Sequence, residues 1–452
     1  MTSARTSFLV CIGLTSGAAP GACRLTVSDP SMTPPALAWA CRVQRYVTVA
    51  RWRLFPRIRV GSRPFSARQP VCPFPEDSFK LRFGLLSESP STSNGTSDVA
   101  VYSSKEPLPE DVKTHVLSVS YPQYWFAPVE LSPFASTIEE ETIDWMESLG
   151  LVKNVERRAH LRAMEPRHYA GYSHSMASYE HALMYCKYIT MWLLWDDECV
   201  EVATDYSDVA EPLMALAGED VPTARKDDPY VLAFKHIGDE YERLGASREW
   251  RIRFAANMSE WAKHAVEEEI VRRKGSDGIS SRSFSDAIKL RAVTSGIRPN
   301  ILPLERAVGI EVPHEIHTDP DYKELVDQAA RICSFVNDLV GVPKDIENKQ
   351  KETNLILYHQ MRSGGTLHDS YVAILKIHDK AVEAYDELAA KLLAKTPPVF
   401  RERMSTFLNH LRYMDSGFGL WHTDCIRYQR WVPVEENRAF RIHIARTLTS
   451  RF

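Results

Sequence analysis

Apolar residues recur every three or four positions through the C-terminal three quarters of the chain, and this spacing is the strongest constraint on the fold. Phe254, Met258 and Trp261, for example, share one face of a helix with about 3.6 residues per turn. The same pattern runs over 325–340 and 400–421, and no segment shows the apolar–polar alternation of a strand. The sequence therefore predicts an all-α domain, larger than a simple four-helix bundle.

The N-terminal part has a different composition, because residues 1–75 contain ten arginines, no lysine and a single acid. A transit peptide would have such a composition, and the apolar segment 8–12 would also suit a secretory signal. We favour a third interpretation, a disordered extension joined to the domain by the Ser- and Pro-rich stretch 88–104. We therefore predict an extension over 1–110 and a single helical domain over 111–452.

Charge, hydropathy and cysteine usage narrow the range of functions. The net charge of −4 provides no basic surface for nucleic acid. Transmembrane helices need runs of about 18 or more apolar residues, and the sequence has none. The eight cysteines include no C-x-x-C pair, which argues against a zinc site and a disulfide framework. We expect a cytoplasmic monomer or homodimer with no nucleic-acid partner and no integral membrane segment.

An acidic stretch, Asp196–Glu201, follows directly on an apolar helical run over 182–193. Four carboxylates in six residues beside so apolar a run are costly unless a cation compensates them. Tyr185, Tyr188 and Trp192 share the helix face that leads to this stretch, which predicts an acidic cluster at the rim of an aromatic pocket. A helix that simply leaves the core for solvent would show the same pattern.

A second polar group interrupts the apolar helix over 325–340. Asn337, Gly341 and Asp345 are four positions apart and therefore lie on one helix face. An amide oxygen and a carboxylate in this arrangement suit Mg²⁺, which takes one or two carboxylates and completes its shell with water and phosphate oxygens. The alternative for this segment alone is a polar helix C-terminus, broken by Pro343.

Taken together, these motifs resemble those of microbial class I terpene synthases, in particular fungal-type sesquiterpene cyclases. Asp-Asp-x-x-x-Glu at 196–201 is similar to the aspartate-rich motif, and Asn-Asp-x-x-x-x-x-Lys-Asp at 337–345 to the Asn/Ser/Glu triad with its trailing Lys-Glu. The family's diphosphate-sensing arginine matches Arg291, which precedes a helix break. Its C-terminal Arg-Tyr pair matches Arg427-Tyr428. The four features occur in the family's order, and the resemblance covers residues 120–435.

The resemblance implies a Mg²⁺-dependent cyclase that ionises a prenyl diphosphate, with farnesyl diphosphate the expected substrate, and releases diphosphate. The implied metal-site positions are Asp196, Glu201, Asn337, Gly341 and Asp345. The implied catalytic residues are Asp196, Arg291, Asn337, Lys344, Arg427 and Tyr428. Of these, Arg291, Lys344, Arg427 and Tyr428 would bind the diphosphate. Aromatic side chains would surround the carbocation and stabilise it: Tyr185, Tyr188, Trp192, Phe418 and Trp421.

Two departures from the family pattern keep other functions open. Gly341 stands where the family has a Ser or Thr ligand, and Asp345 where it has Glu. We expect a water to replace the missing hydroxyl, so that Gly341→Ser would strengthen Mg²⁺ binding. The departures would also permit a non-catalytic descendant of a synthase, although Arg291 and Lys344 argue against it. A prenyltransferase of the same fold is the nearer alternative, but its second motif would be aspartate-rich.

Overall fold

The computed structural model describes residues 113–222, 225–273, 282–348, 351–425, 428, 432–434 and 438–448. The predicted extension over 1–110 lies outside these residues, and so does Arg427.

Helices dominate the described residues, which confirms the predicted fold class. They are α1 (Ala135–Ser148), α2 (Val155–Ala163), α3 (Pro166–Ser173), α4 (Tyr179–Trp195), α5 (Ala210–Leu216), α6 (Pro229–Arg243), α7 (Arg248–Arg273), α8 (Phe284–Thr294), α9 (Ile297–Ala307), α10 (His314–His317), α11 (Pro320–Glu347), α12 (Leu355–Ser363), α13 (Leu367–Lys395) and α14 (Pro398–Asp424). No helix within these ranges is long and apolar enough to cross a membrane.

The two polar motifs lie on different helices that meet a common neighbour. The acidic stretch follows α4, and the Asn337 motif lies near the end of α11. Helix α9 contacts both α4 and α11, and α8 packs between α7 and α11. The apolar faces read from the sequence are buried as predicted, because Phe254, Met258 and Trp261 of α7 all lie in the core. Packing of these faces brings the two motifs to one side of the bundle.

The expectation that the chain has no strands is wrong at both ends of the domain. β1 (Lys113–Pro122) pairs in parallel with β3 (Arg438–Thr447), and β2 (Val432–Val434) pairs antiparallel with β3, in the order β1-β3-β2. Among the described side chains of β1, those of Val119 and Tyr121 are buried two positions apart, whereas that of Val116 is exposed. β1 and β3 are more than 300 positions apart in the sequence, and no local sequence pattern encodes pairing over such a separation.

Helix α11 does not end at Pro343 but continues to Glu347. Proline has no backbone N–H, so it leaves the carbonyl four residues earlier, that of Leu339, without its helical partner. The Tyr371 hydroxyl donates to this carbonyl over 3.1 Å and supplies the missing hydrogen bond. The helix therefore carries Asn337 and Asp345 on one continuous segment. A helix that ended at Pro343 would have separated them.

Candidate active site

The acidic stretch leaves α4 through a π-helical turn, Asp196–Val200. Its backbone signature is a bond from the Glu201 amide to the Asp196 carbonyl, i to i+5, over 2.9 Å. On an α-helix, five positions would rotate Glu201 about 140° away from Asp196. The wider turn instead brings one carboxylate oxygen each of Asp196, Asp197 and Glu201 within 4.8 Å of one another. The local backbone thus gathers three carboxylates into one cluster.

The fourth carboxylate of the stretch points elsewhere. Glu198 accepts a hydrogen bond from the Tyr230 hydroxyl over 2.6 Å and forms an ion pair with Arg157. The Tyr230 hydroxyl also lies 3.4 Å from the Leu194 carbonyl. These contacts tie the π-turn to α6 and α2, so Glu198 anchors the turn from outside the carboxylate cluster.

The second motif is joined to α8 by Arg291. The guanidinium donates from Nε to Asp338 Oδ1 over 2.9 Å and from Nη2 to Asn337 Oδ1 over 2.8 Å. Asp338 is buried, and its second oxygen accepts from the Leu355 amide over 2.9 Å. Burial raises the pKa of the Asp338 carboxyl, and the attraction of Arg291 opposes that rise. Arg291 is therefore held in place by the motif it was predicted to accompany.

Helix α14 and the C-terminal segment complete this polar group. Asn337 Nδ2 lies 2.9 Å from His422 Nε2 and 3.5 Å from the Tyr428 hydroxyl. The other ring nitrogen of His422 lies 2.7 Å from the Phe418 carbonyl. Three segments besides α11 therefore converge on Asn337, and His422 was not anticipated from the sequence.

One cavity of about 220 Å³ is lined both by the carboxylate cluster and by the polar group around Asn337. The predicted site residues that reach it are Trp192, Asp196, Glu201, Arg291, Asn337, Lys344, Asp345, Phe418, Trp421 and Tyr428. The lining residues that the sequence analysis did not place in the site include Tyr169, Asp197, Trp261, Glu268, Glu269, Cys333 and His422. The lining thus combines carboxylates and cationic groups with aromatic side chains.

One aromatic lining residue, Trp192, depends on a glycine at the break between α8 and α9. Gly296 has φ +76°, and a Cβ there would lie 2.3 Å from the Trp192 ring. Only glycine combines this conformation with such close contact. The rings of Trp192 and Trp261 pack edge-on with their centroids 4.7 Å apart. The rings of Trp421 and Tyr169 pack in the same way, with centroids 4.3 Å apart.

Three predicted positions do not reach the cavity. The Tyr185 hydroxyl donates to Asn300 over 3.0 Å, and the Tyr188 hydroxyl contacts the Met258 sulfur at 3.0 Å, so both rings belong to the core. Tyr169 of α3 covers this part of α4 and forms the wall instead. Gly341 is also absent from the lining. Its face of α11 is occupied by the Asp345 carboxylate, where we expected a water.

Comparison with known proteins finds similarity over the part of the chain that carries both motifs. Residues 187–384 match the family model described as terpene synthase family 2, C-terminal metal binding. The chain is a terpene synthase enzyme. It is 22% identical to pristinol synthase of Streptomyces pristinaespiralis over 313 residues, which cover 67% of this chain and 82% of that protein.

Solved terpene synthases share the fold. The structure of a-eudesmol synthase matches with a TM-score of 0.57 and 19% identity, covering 65% of this synthase and 96% of that chain. Hedycaryol synthase in complex with nerolidol matches with a TM-score of 0.55 and 16% identity, covering 70% of this synthase and all of that chain. The matched family model includes metal binding, and the carboxylate cluster of the synthase is consistent with it.

Glu268 of the synthase should make its stability depend on pH. Burial raises the pKa of this carboxyl from 4.5 to about 7, and Arg291 opposes the rise. Between these pH values the folded protein retains a proton that the unfolded chain releases, so stability falls as pH rises through this window. Solvent in the cavity moderates the effect, which we expect to be about 2 kcal/mol.

Urea unfolding of the metal-free protein at pH 5 and pH 8 measures this effect. Glu268→Gln should lose less stability than wild type over the same interval, because glutamine does not titrate. An identical loss in both proteins would assign the pH dependence to other groups.

Proposed function

We propose that this synthase is a Mg²⁺-dependent cyclase that ionises farnesyl diphosphate and cyclises the carbocation to a sesquiterpene hydrocarbon or alcohol, with release of diphosphate. The observation that carries the proposal is one cavity lined by carboxylates, by cationic donors and by aromatic rings. Such a cavity matches a substrate with an anionic leaving group and an apolar chain that becomes a cation.

The donor set fits a hard divalent cation. Asp196, Asp197 and Glu201 offer oxygen ligands within 4.8 Å of one another, and Asn337 and Asp345 line the same cavity. Magnesium prefers such ligands and retains positions for water and phosphate oxygens. When bound, it would neutralise charge on the departing diphosphate.

The cationic and hydroxyl groups at the cavity would bind the diphosphate. Arg291 presents paired N–H groups, which match phosphate oxygens in geometry and charge. Its present acceptors are Asn337 and Asp338, so substrate oxygens would compete with the Asn337 contact. Lys344 and the Tyr428 hydroxyl would add single donors. By resemblance, Arg427 would join them.

The aromatic wall would bind the isoprenoid chain and protect the cation. Trp192, Phe418 and Trp421 were predicted for this role, and Tyr169 and Trp261 line the same wall. Each aromatic face stabilises a nearby cation by about 0.5–2 kcal/mol, and exclusion of water prevents premature quenching.

Three finer features belong to the proposal. A C15 substrate is supported by the hedycaryol synthase structure, whose ligand nerolidol is a C15 alcohol. We retain the fungal-type resemblance on the spacing of the two motifs. We also retain a cytoplasmic location, on the absence of paired cysteine motifs from the sequence.

Incubation of the purified protein with Mg²⁺ and C10, C15 or C20 prenyl diphosphates tests the proposal. We expect a cyclic C15 product by gas chromatography–mass spectrometry, together with stoichiometric diphosphate. Omission of Mg²⁺ should abolish both. A product that forms only when isopentenyl diphosphate is added would identify a prenyltransferase, and no turnover of any substrate would support the non-catalytic alternative.

Deletion of residues 1–100 should leave product formation and helix content nearly unchanged. The reason is that β1 begins at Lys113 and the proposed site residues all follow position 160. Circular dichroism and C15 turnover of the shortened protein measure the two quantities. If the shortened protein is soluble but inactive, the extension belongs to the catalytic unit, contrary to our domain boundary.

A further inference from the structure

Asp345, the acid at the end of the second motif, is bound by a buried residue from another segment. Asn354 Nδ2 donates over 2.8 Å to Asp345 Oδ2 and over 2.8 Å to the Asp338 backbone carbonyl. Asn354 is 1% exposed. Both amide-nitrogen contacts therefore connect Asn354 to helix α11.

The remaining polar atom of Asn354 is also occupied. Its Oδ1 accepts from the amides of Ile356 and Leu357, which caps the N-terminus of α12. The next residue, Leu355, donates its amide to Asp338 Oδ2. The start of α12 therefore holds carboxylates of both Asp338 and Asp345, through two consecutive residues.

Gly341 provides the space in which this contact forms. A Cβ at position 341 would lie 3.1 Å from Asp345 Oδ2 and 3.8 Å from Asn354 Nδ2. A side chain there would crowd the same carboxylate oxygen that accepts the hydrogen bond from Asn354. The departure at Gly341 thus has a steric explanation: it makes room for the Asp345 carboxylate beside Asn354.

We propose that Asn354 is a positioning residue that orients the Asp345 carboxylate for a divalent metal ion, with Gly341 providing the required space. The inference rests on the proposed function, since it assigns Asp345 to the metal site. A carboxylate with one oxygen fixed by a buried amide presents its other oxygen in a defined direction. Hydrogen bonds to metal ligands of this kind typically change metal affinity by about 10–100-fold.

The test is direct binding of Mg²⁺ to Asn354→Ser, by isothermal titration calorimetry without substrate. Serine retains the capacity to cap α12 but lacks the amide donors. We expect about 10-fold or greater loss of Mg²⁺ affinity and a corresponding rise in the half-saturating Mg²⁺ concentration for diphosphate release. Asn154→Ser is the matched control, because Asn154 caps α2 and lies outside the cavity lining.

Gly341→Ala places a Cβ 3.1 Å from Asp345 Oδ2 and should shift the same carboxylate while Asn354 remains intact. We expect weaker Mg²⁺ binding here too, so this variant decides the question if Asn354→Ser does not fold. Wild-type Mg²⁺ affinity in folded Asn354→Ser, or in Gly341→Ala, would overturn the inference. The expected losses in a protein that cyclises no prenyl diphosphate would uphold it and overturn the proposed function.

Discussion

Asp196→Asn should reduce diphosphate release by at least about 1,000-fold, whereas Glu198→Gln should retain most activity. Asp196 belongs to the carboxylate cluster at the cavity, and several kcal/mol of charge stabilisation depend on a metal held there. Glu198 comes from the same acidic stretch but contacts Tyr230 and Arg157. Its partly exposed ion pair contributes at most about 1 kcal/mol to stability.

The pair separates a specific role of the cluster from general loss of negative charge, because each variant removes one carboxylate. Diphosphate release at saturating Mg²⁺ gives the rates, and circular dichroism checks the fold. Wild-type turnover by folded Asp196→Asn would remove this carboxylate from the catalytic site. Equal inactivation of folded Glu198→Gln would show that charge, rather than position on the π-turn, matters.

Arg291→Lys should fold but lose about 100-fold or more in turnover. Lysine keeps the positive charge next to buried Asp338 but cannot donate in a fixed fork to both Asn337 and Asp338. Removal of one oriented donor from a developing charge typically costs about 3–4 kcal/mol. Arg291→Met should be worse, since it also leaves a buried carboxylate unpaired at a cost of about 3–5 kcal/mol in stability.

Arg298→Lys is the matched control for Arg291→Lys. Arg298 lies on α9, forms ion pairs with Glu260 and Asp327, and does not line the cavity. Thermal unfolding and diphosphate release measured on both variants separate stability from turnover. Wild-type turnover by Arg291→Lys would show that the fork geometry of arginine is not required.

The spacing of residues along the chain was sufficient to predict the helical fold and the two polar motifs that reach the cavity. Helical periodicity is local, so the apolar faces of α7, α11 and α14 were readable without any contact being known. The carboxylates at 196–201 and the Asn337 motif were also readable, because polar residues interrupting an apolar helix demand partners. Arg291 was found through the family resemblance and the helix break that follows it.

Tertiary packing decided what local spacing could not. Tyr185 and Trp192 share a helix face, yet α3 covers the first and leaves the second at the cavity. Glu268 and Asn354 gave no local signal, since their roles depend on partners from other helices. The parallel pairing of β1 with β3 likewise joins opposite ends of the domain. Local sequence determined which faces are apolar; only the packed chain determined which face meets which, because that choice depends on shape and on contacts between distant segments.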